Sequence, residues 1–233
     1  MLPLAAGDLS FNPGITQEDF HTFSLLAAQA IFATPVEPPR AAGLLSFDVG
    51  VAASAIKIDK NADFWRHSVS SDLITVNYLA VPRLVVSKGL AGSTIAGSYA
   101  RFSNTSAKVY GASYDFPVVN GNLARPTLAG RLSYATVRGL QQLDLRTWGL
   151  EFFFSKGIGP FTPYVAAGKM HSTSKASIPL PAGAPSPTLV LNDKSNLTRY
   201  TLGMRVSLTL PKLTVEATQA DRRSYAAKIS IGF

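Results

Sequence analysis

No cysteine occurs among the 233 residues, and histidine is limited to His21, His67 and His171. The first absence excludes a small secreted domain stapled by disulfides and leaves a large fold that needs no staples. The second argues against a metal site, because no two histidines share a helix turn or a local loop. Charge is also scarce, at 15% of residues, against about 25% in an average soluble domain. A soluble chain of this size needs a charged exterior, so part of the outside is expected not to face water. Long apolar runs are missing too. The longest, Leu25 to Ala33, is interrupted by Gln29, whereas a membrane-spanning helix needs about 20 apolar residues. If a membrane is crossed, a helix does not cross it.

The basic charge that is present is dispersed. The net charge is +8, yet the densest cluster is Asp221-Arg222-Arg223 and no basic stripe is interleaved with aromatics. Nucleic acid is therefore not an expected partner, whereas anionic lipid headgroups or an anion-attracting pore remain open. Met1 to Gly7 carries neither a positively charged n-region nor an apolar h-region. The chain reads as a mature exported form, its signal peptide removed and Met1 added.

Two regions follow from the periodicity: residues 1–40 and residues 41–233. Residues 1–14 contain Pro3, Pro13 and Gly14 and read as an irregular lead. Thr16-Gln-Glu-Asp19 resembles a capping box, in which Thr16 accepts a backbone N–H and the acids favour the positive helix pole. Phe20, Phe23, Ala27, Ala30 and Ile31 then recur at helical spacing, which predicts an amphipathic helix over 17–33. Pro35, Pro38 and Pro39 stop it. The Phe stripe is expected to pack against the rest of the fold, with a plug or a partner-docking helix as the sharper alternatives.

From residue 43 the period becomes 2. Leu45, Phe47, Val49 and Val51 alternate with Ser46, Asp48, Gly50 and Ala52, and Trp148, Leu150, Phe152 and Phe154 alternate with Thr147, Gly149, Glu151 and Phe153. Ten such segments are predicted, near 43–58, 75–88, 93–104, 106–118, 125–138, 144–156, 161–173, 196–210, 212–220 and 224–233. Several reach the roughly nine to eleven residues that a tilted strand needs to cross a bilayer. Long connections at 59–74 and 174–195 fall on one side, opposite tight turns such as Gly157-Ile158-Gly159-Pro160 and Pro211-Lys212, and an even count puts both termini on the short-turn side. The fold class expected is all-β: an antiparallel, transmembrane, up-and-down barrel of about ten strands with a short N-terminal amphipathic helix.

A soluble barrel would alternate in the same way, apolar inward. Two features argue against it. The polar-face residues are small, with isolated charges at Asp48, Arg131, Glu151, Arg199, Arg205, Glu216 and Lys228, whereas a water-facing surface would carry many more Lys and Glu. The apolar face concentrates Phe47, Phe116, Tyr134, Trp148, Phe161, Tyr200, Tyr225 and Phe233 near strand ends, as interfacial girdles do. The isolated charges then line a lumen. A three-residue loop at Asp221 to Arg223 places Glu216 directly opposite Lys228, and a turn at Pro211-Lys212 makes Arg205 a diagonal neighbour of Glu216. A salt-bridge ladder filling the lumen is the expected result, with an anion-selective path as its rival, since Arg131, Arg199 and Arg205 outnumber nearby acids.

The last strand, with Tyr225, Ala227, Ile229, Ile231 and Phe233 at every second position, resembles the β-signal of bacterial outer-membrane β-barrel proteins. Phe47-Asp48-Val49-Gly50-Val51 and the run Ser155 to Tyr164 are similar to a group of small outer-membrane barrels with an N-terminal helix. The resemblance implies outer-membrane localisation, contact with outer-membrane lipid and lipopolysaccharide, and insertion by the barrel-assembly machinery. A periplasmic partner for helix 17–33 is a further expectation.

Some outer-membrane barrels are enzymes, and these need a base and usually a nucleophile in reach. His67-Ser68-Val69-Ser70 has the His-x-Ser spacing but lies off the strands, so no catalytic constellation, cofactor or metal is expected. The leading functional expectation is a narrow channel or small-solute transport barrel with a charged lumen. The alternatives are a structural or surface-interaction barrel with a closed lumen and, behind it, a lipid-modifying enzyme. About eight strands are just filled by their own side chains, and open channels need about 16.

Overall fold

The computed structural model describes residues 10–59, 62, 77–102, 105–122, 124–180, 187–208 and 210–233. One helix, α1 (Gln17–Ile31), precedes ten strands: β1 (Phe47–Lys57), β2 (Tyr78–Leu90), β3 (Ser93–Arg101), β4 (Lys108–Val119), β5 (Thr127–Arg138), β6 (Leu143–Ser155), β7 (Phe161–Pro179), β8 (Thr188–Ser207), β9 (Pro211–Gln219) and β10 (Arg223–Gly232). Each strand pairs antiparallel with its neighbours in sequence, and β1 closes on β10 to complete a barrel. Reciprocal backbone hydrogen bonds of 3.0 Å between Phe47 and Phe233 extend that seam. Closure leaves no sheet edge, which a lipid environment requires.

The helix starts where capping chemistry places it. Thr16 is extended, and its hydroxyl accepts the Asp19 N–H at 3.1 Å, with Glu18 and Asp19 in the first turn. The strands alternate over most of their length; β6 reads buried, exposed, buried nearly from end to end. Here the exposed members are the apolar ones. Val51, Leu84, Leu132, Phe152, Val165, Leu202, Val215, Ile229 and Ile231 point outward, while Asp48, Ser113, Asp115, Arg131, Thr147, Glu151 and Lys228 are buried inside. Aromatic side chains bound this apolar wall: Phe47, Phe161 and Phe233 toward the short turns, and Tyr99, Tyr110, Tyr134, Trp148 and Tyr225 toward the other end. At about 25 cal/mol per Å² of apolar surface, such an exterior is stable against hydrocarbon and costly against water. The fold is a transmembrane β-barrel.

Three expectations about connections are corrected. The span 174–195 is not a long loop: β7 runs to Pro179 and β8 starts at Thr188, a hairpin of 19- and 20-residue strands. Only about nine to eleven residues are needed to cross a bilayer, so its upper part stands clear of it, where strand faces need not differ in polarity. Pro211-Lys212 is not a turn, because Pro211 opens β9, the first-residue position that proline tolerates. The β9–β10 connection is Ala220 to Arg222, one residue earlier than expected, so Glu216 faces Ala226 and Lys228 faces Thr214. The β2–β3 turn is Ala91-Gly92, both at positive φ (45° and 105°), as a two-residue hairpin of the primed type requires. Most of the connection 59–74 lies outside the described residues.

A sealed lumen as the candidate functional site

Residues 11–42 run through the inside of the barrel. Near the long connections, Phe11 donates its N–H to Gln142 Oε1 at 2.9 Å, so the described segment enters the barrel at that end and not on the short-turn side. Helix α1 follows, touching β2, β5, β6, β7 and β8, walls that surround it. Phe20, Phe23, Ser24, Leu26, Ala28, Gln29, Ala30 and Ile31 are all buried, so burial covers every side of the helix. An ordinary amphipathic surface helix would keep one face in water. Phe11 meets Phe20 and Phe23 edge-on at 5.9 and 5.1 Å. Around them close the upper wall residues Ile56, Val81, Val109, Val137, Leu145, Met170 and Ile178, one continuous apolar cluster. Polar pins are few there: Ser174 Oγ donates to Ser24 Oγ at 2.7 Å, and Gln29 bonds the backbone of Arg222 at 2.6 and 3.1 Å.

Below the helix the segment becomes an extended strap, Phe32 to Ala42, that descends to the short-turn end. The wall thins to receive it: a Cβ on Gly149 would lie 2.8 Å from the Phe32 ring, and one on Gly111 would collide with Ala33. Arg83 donates to the Ala30 and Phe32 carbonyls at 3.2 and 2.9 Å, satisfying groups left unpaired at the helix C-terminus. Arg199 lies over the Phe32 ring, 4.4 Å from its centroid, and pairs with Glu151 at 3.2 Å.

Glu37 is the centre of the lower half. Lys228 Nζ stands 3.1 Å from Glu37 Oε2 and 3.1 Å from Asp48 Oδ1. Ser87 donates to Glu37 Oε1 at 3.2 Å, and Arg131 donates to the Glu37 carbonyl at 3.0 Å while gripping Asp115 with two bonds of 2.6 and 2.8 Å. Lys212 completes the set, 2.9 Å from Asp48 Oδ2. At the short-turn end Gly92 donates its N–H to the Ala42 carbonyl at 2.8 Å.

All seven charges singled out from the sequence point inward, but their pairing differs from the expected one. Lys228 does not meet Glu216; it joins Asp48 on the wall to Glu37 on the strap. Glu216 accepts instead from the Tyr164 hydroxyl at 2.6 Å. Arg205 stays diagonal to Glu216, opposite Thr214, and is held at 3.5 Å to Thr162. Glu37, Arg83, Asp115, Tyr164 and Lys212 are members that pattern reading passed over. Asp115 was within its reach, since it sits between the outward Tyr114 and the partly covered Phe116. Tyr225, Ala227, Ile229, Ile231 and Phe233 all face outward on or just beyond β10.

The histidines form no nucleophilic constellation among the described residues. His171 Nδ1 lies 2.9 Å from Asn196 Oδ1. His21 Nδ1 lies 2.6 Å from Asp193 Oδ1, but the Ser195 hydroxyl donates to that same carboxylate, at 2.7 Å, and not to the ring. His67, Ser68 and Ser70 lie outside the described residues. No group of three or more metal-ligating side chains occurs among the described residues.

Fold and lumen define the class: a closed, ten-stranded transmembrane barrel threaded by its own N-terminal segment. No family model and no curated protein matches the chain. Among solved structures it is similar to the N-terminal β-barrel domain of Pseudomonas aeruginosa OprF (11% identity, 84% of this chain and 100% of that one, TM-score 0.35). It is also similar to Neisserial surface protein A (13%, 80% and 97%, 0.33) and to Ail, the attachment invasion locus protein of Yersinia pestis, in complex with the heparin analogue sucrose octasulfate (14%, 80% and 95%, 0.30). At these identities the likeness concerns the fold and says nothing about activity.

Proposed function

We propose that the protein is an integral barrel of the bacterial outer membrane whose lumen is permanently closed, and that it works as a structural or surface-interaction element. One observation carries this reading: residues 11–42 occupy the lumen from the long connections to the short turns. In this reading the long-connection end faces outward, led by the β7–β8 hairpin. The outward row from Tyr225 to Phe233 is the signal read by the assembly machinery.

Planar-bilayer recording tests closure. The refolded chain is expected to give no discrete conductance, and a variant lacking residues 1–40 is expected to give steps. Steps from the full chain would overturn the proposal in favour of a narrow channel. That second reading draws support from the charged lower wall, which would line a path if the strap left. Because the chain has no cysteine, Lys175→Cys offers a single label site on the exposed face of β7. A membrane-impermeant maleimide should label it on intact cells, and protection there would reverse the orientation.

A further inference from the structure

One row of like charges stands on the outer face of the barrel. Arg101, at the end of β3, is directly opposite Lys108 on β4, and Lys108 is directly opposite Arg138 on β5. All three are exposed and on the outward face, and none has an ion-pair or hydrogen-bond partner among the described residues. Like charges directly opposite one another destabilise a sheet pair, and here two such pairs are fused into one row. The neighbouring strands handle charge differently. On β6, Asp144 pairs with Arg146 at 2.9 Å and stands opposite Lys175 on β7. The row is therefore a local concentration of positive charge, since the acid at its flank, Asp144, is already engaged by Arg146.

Its height identifies what neutralises it. Tyr99 and Tyr110 lie one outward position below Arg101 and Lys108, directly opposite each other, with ring centroids 5.4 Å apart. Exposed tyrosines above an apolar wall mark the headgroup level. Two residues further along a strand is a rise of about 6–7 Å, which brings the three cations into the layer where lipid phosphates lie. We propose that Arg101, Lys108 and Arg138 form a binding site for the phosphate groups of an outer-leaflet lipid headgroup. Arginine takes a phosphate in two parallel hydrogen bonds and lysine takes it as a point charge. The inference rests on the outward orientation proposed above; the maleimide label tests that orientation separately.

The experiment uses the refolded chain in neutral detergent and follows its heat-induced unfolding by the gel-mobility shift. Added probes are diphosphorylated lipid A, the same lipid with both phosphates removed, and inorganic phosphate at matched phosphate concentration. Diphosphorylated lipid A is expected to raise the midpoint and the other two are not. In Arg101→Gln/Lys108→Gln/Arg138→Gln, apparent affinity for that lipid should fall about 100-fold, at roughly fivefold for each surface cation. Without lipid the order should invert, the triple variant being the more stable because the repulsion is gone. Lys108→Gln alone should show both effects in reduced form, and Lys194→Gln, on the outward face of β8, neither. An equal rise with dephosphorylated lipid, an equal rise with free phosphate, or a full response in the triple variant would each overturn the lipid-phosphate site.

Discussion

The two halves of the lumen hold one continuous segment by different physics. Toward the long connections α1 is gripped by Phe, Leu, Ile and Met side chains, an attraction that scales with area and has little direction. Toward the short turns the strap is held by ion pairs and hydrogen bonds from defined strand positions to Glu37. A helix in an apolar sleeve tolerates small slides and rotations. Glu37 tolerates neither, because a shift of one residue strands buried charges on the wall. The upper half thus supplies attachment and the lower half supplies register.

This division gives four expectations, largest first, each read as a change in unfolding free energy from denaturant titration in lipid vesicles. Lys228→Met leaves Glu37 and Asp48 facing each other without their shared cation, and should cost roughly 3–5 kcal/mol. Adding Glu37→Gln should recover part of that loss, whereas two truncations among the apolar contacts should only accumulate. If the second change deepened the loss, the lower half would not be an ionic lock. Leu26→Ala in the upper half should cost about 2–5 kcal/mol, with Leu26→Val in between, as a graded cavity effect. An all-or-none response would break the picture of a forgiving sleeve. Gly149→Ala, at the level of Phe32, should cost roughly 1–3 kcal/mol by overpacking. No cost there would mean that the strap is not pressed to the wall. His21→Ala should cost less than about 1 kcal/mol, since the His21 side chain is 48% exposed and its pair with Asp193 is screened.

Much of this architecture can be read from residue order alone, for identifiable reasons. Thr16 and Asp19 announce the helix start because a cap needs those atoms at that spacing. Ten strands and the inward set from Asp48 to Lys228 follow from parity, since a period of two assigns every residue to a face. Parity also explains the errors. The β9–β10 register differs from the expected one by two residues, and such a shift moves no side chain to the other face, so the pattern cannot report it. It did change Lys228's partner. The upper β7–β8 hairpin was hidden because strands beyond the membrane, rich in Ser and Lys, lose the contrast between faces. Glu37 was invisible for another reason. It lies among Pro35, Pro38 and Pro39, where no period exists, and a proline-rich stretch reads as linker until its burial is known.

The closure of this barrel carries a kinetic consequence. Strap and wall are one chain, joined at Phe47, so a dislodged segment cannot diffuse away. Its local concentration near the mouth stays in the millimolar range typical of short tethers. Resealing would then be independent of how many copies the membrane holds, and a free peptide copy of residues 10–40 would need comparable millimolar concentrations to compete.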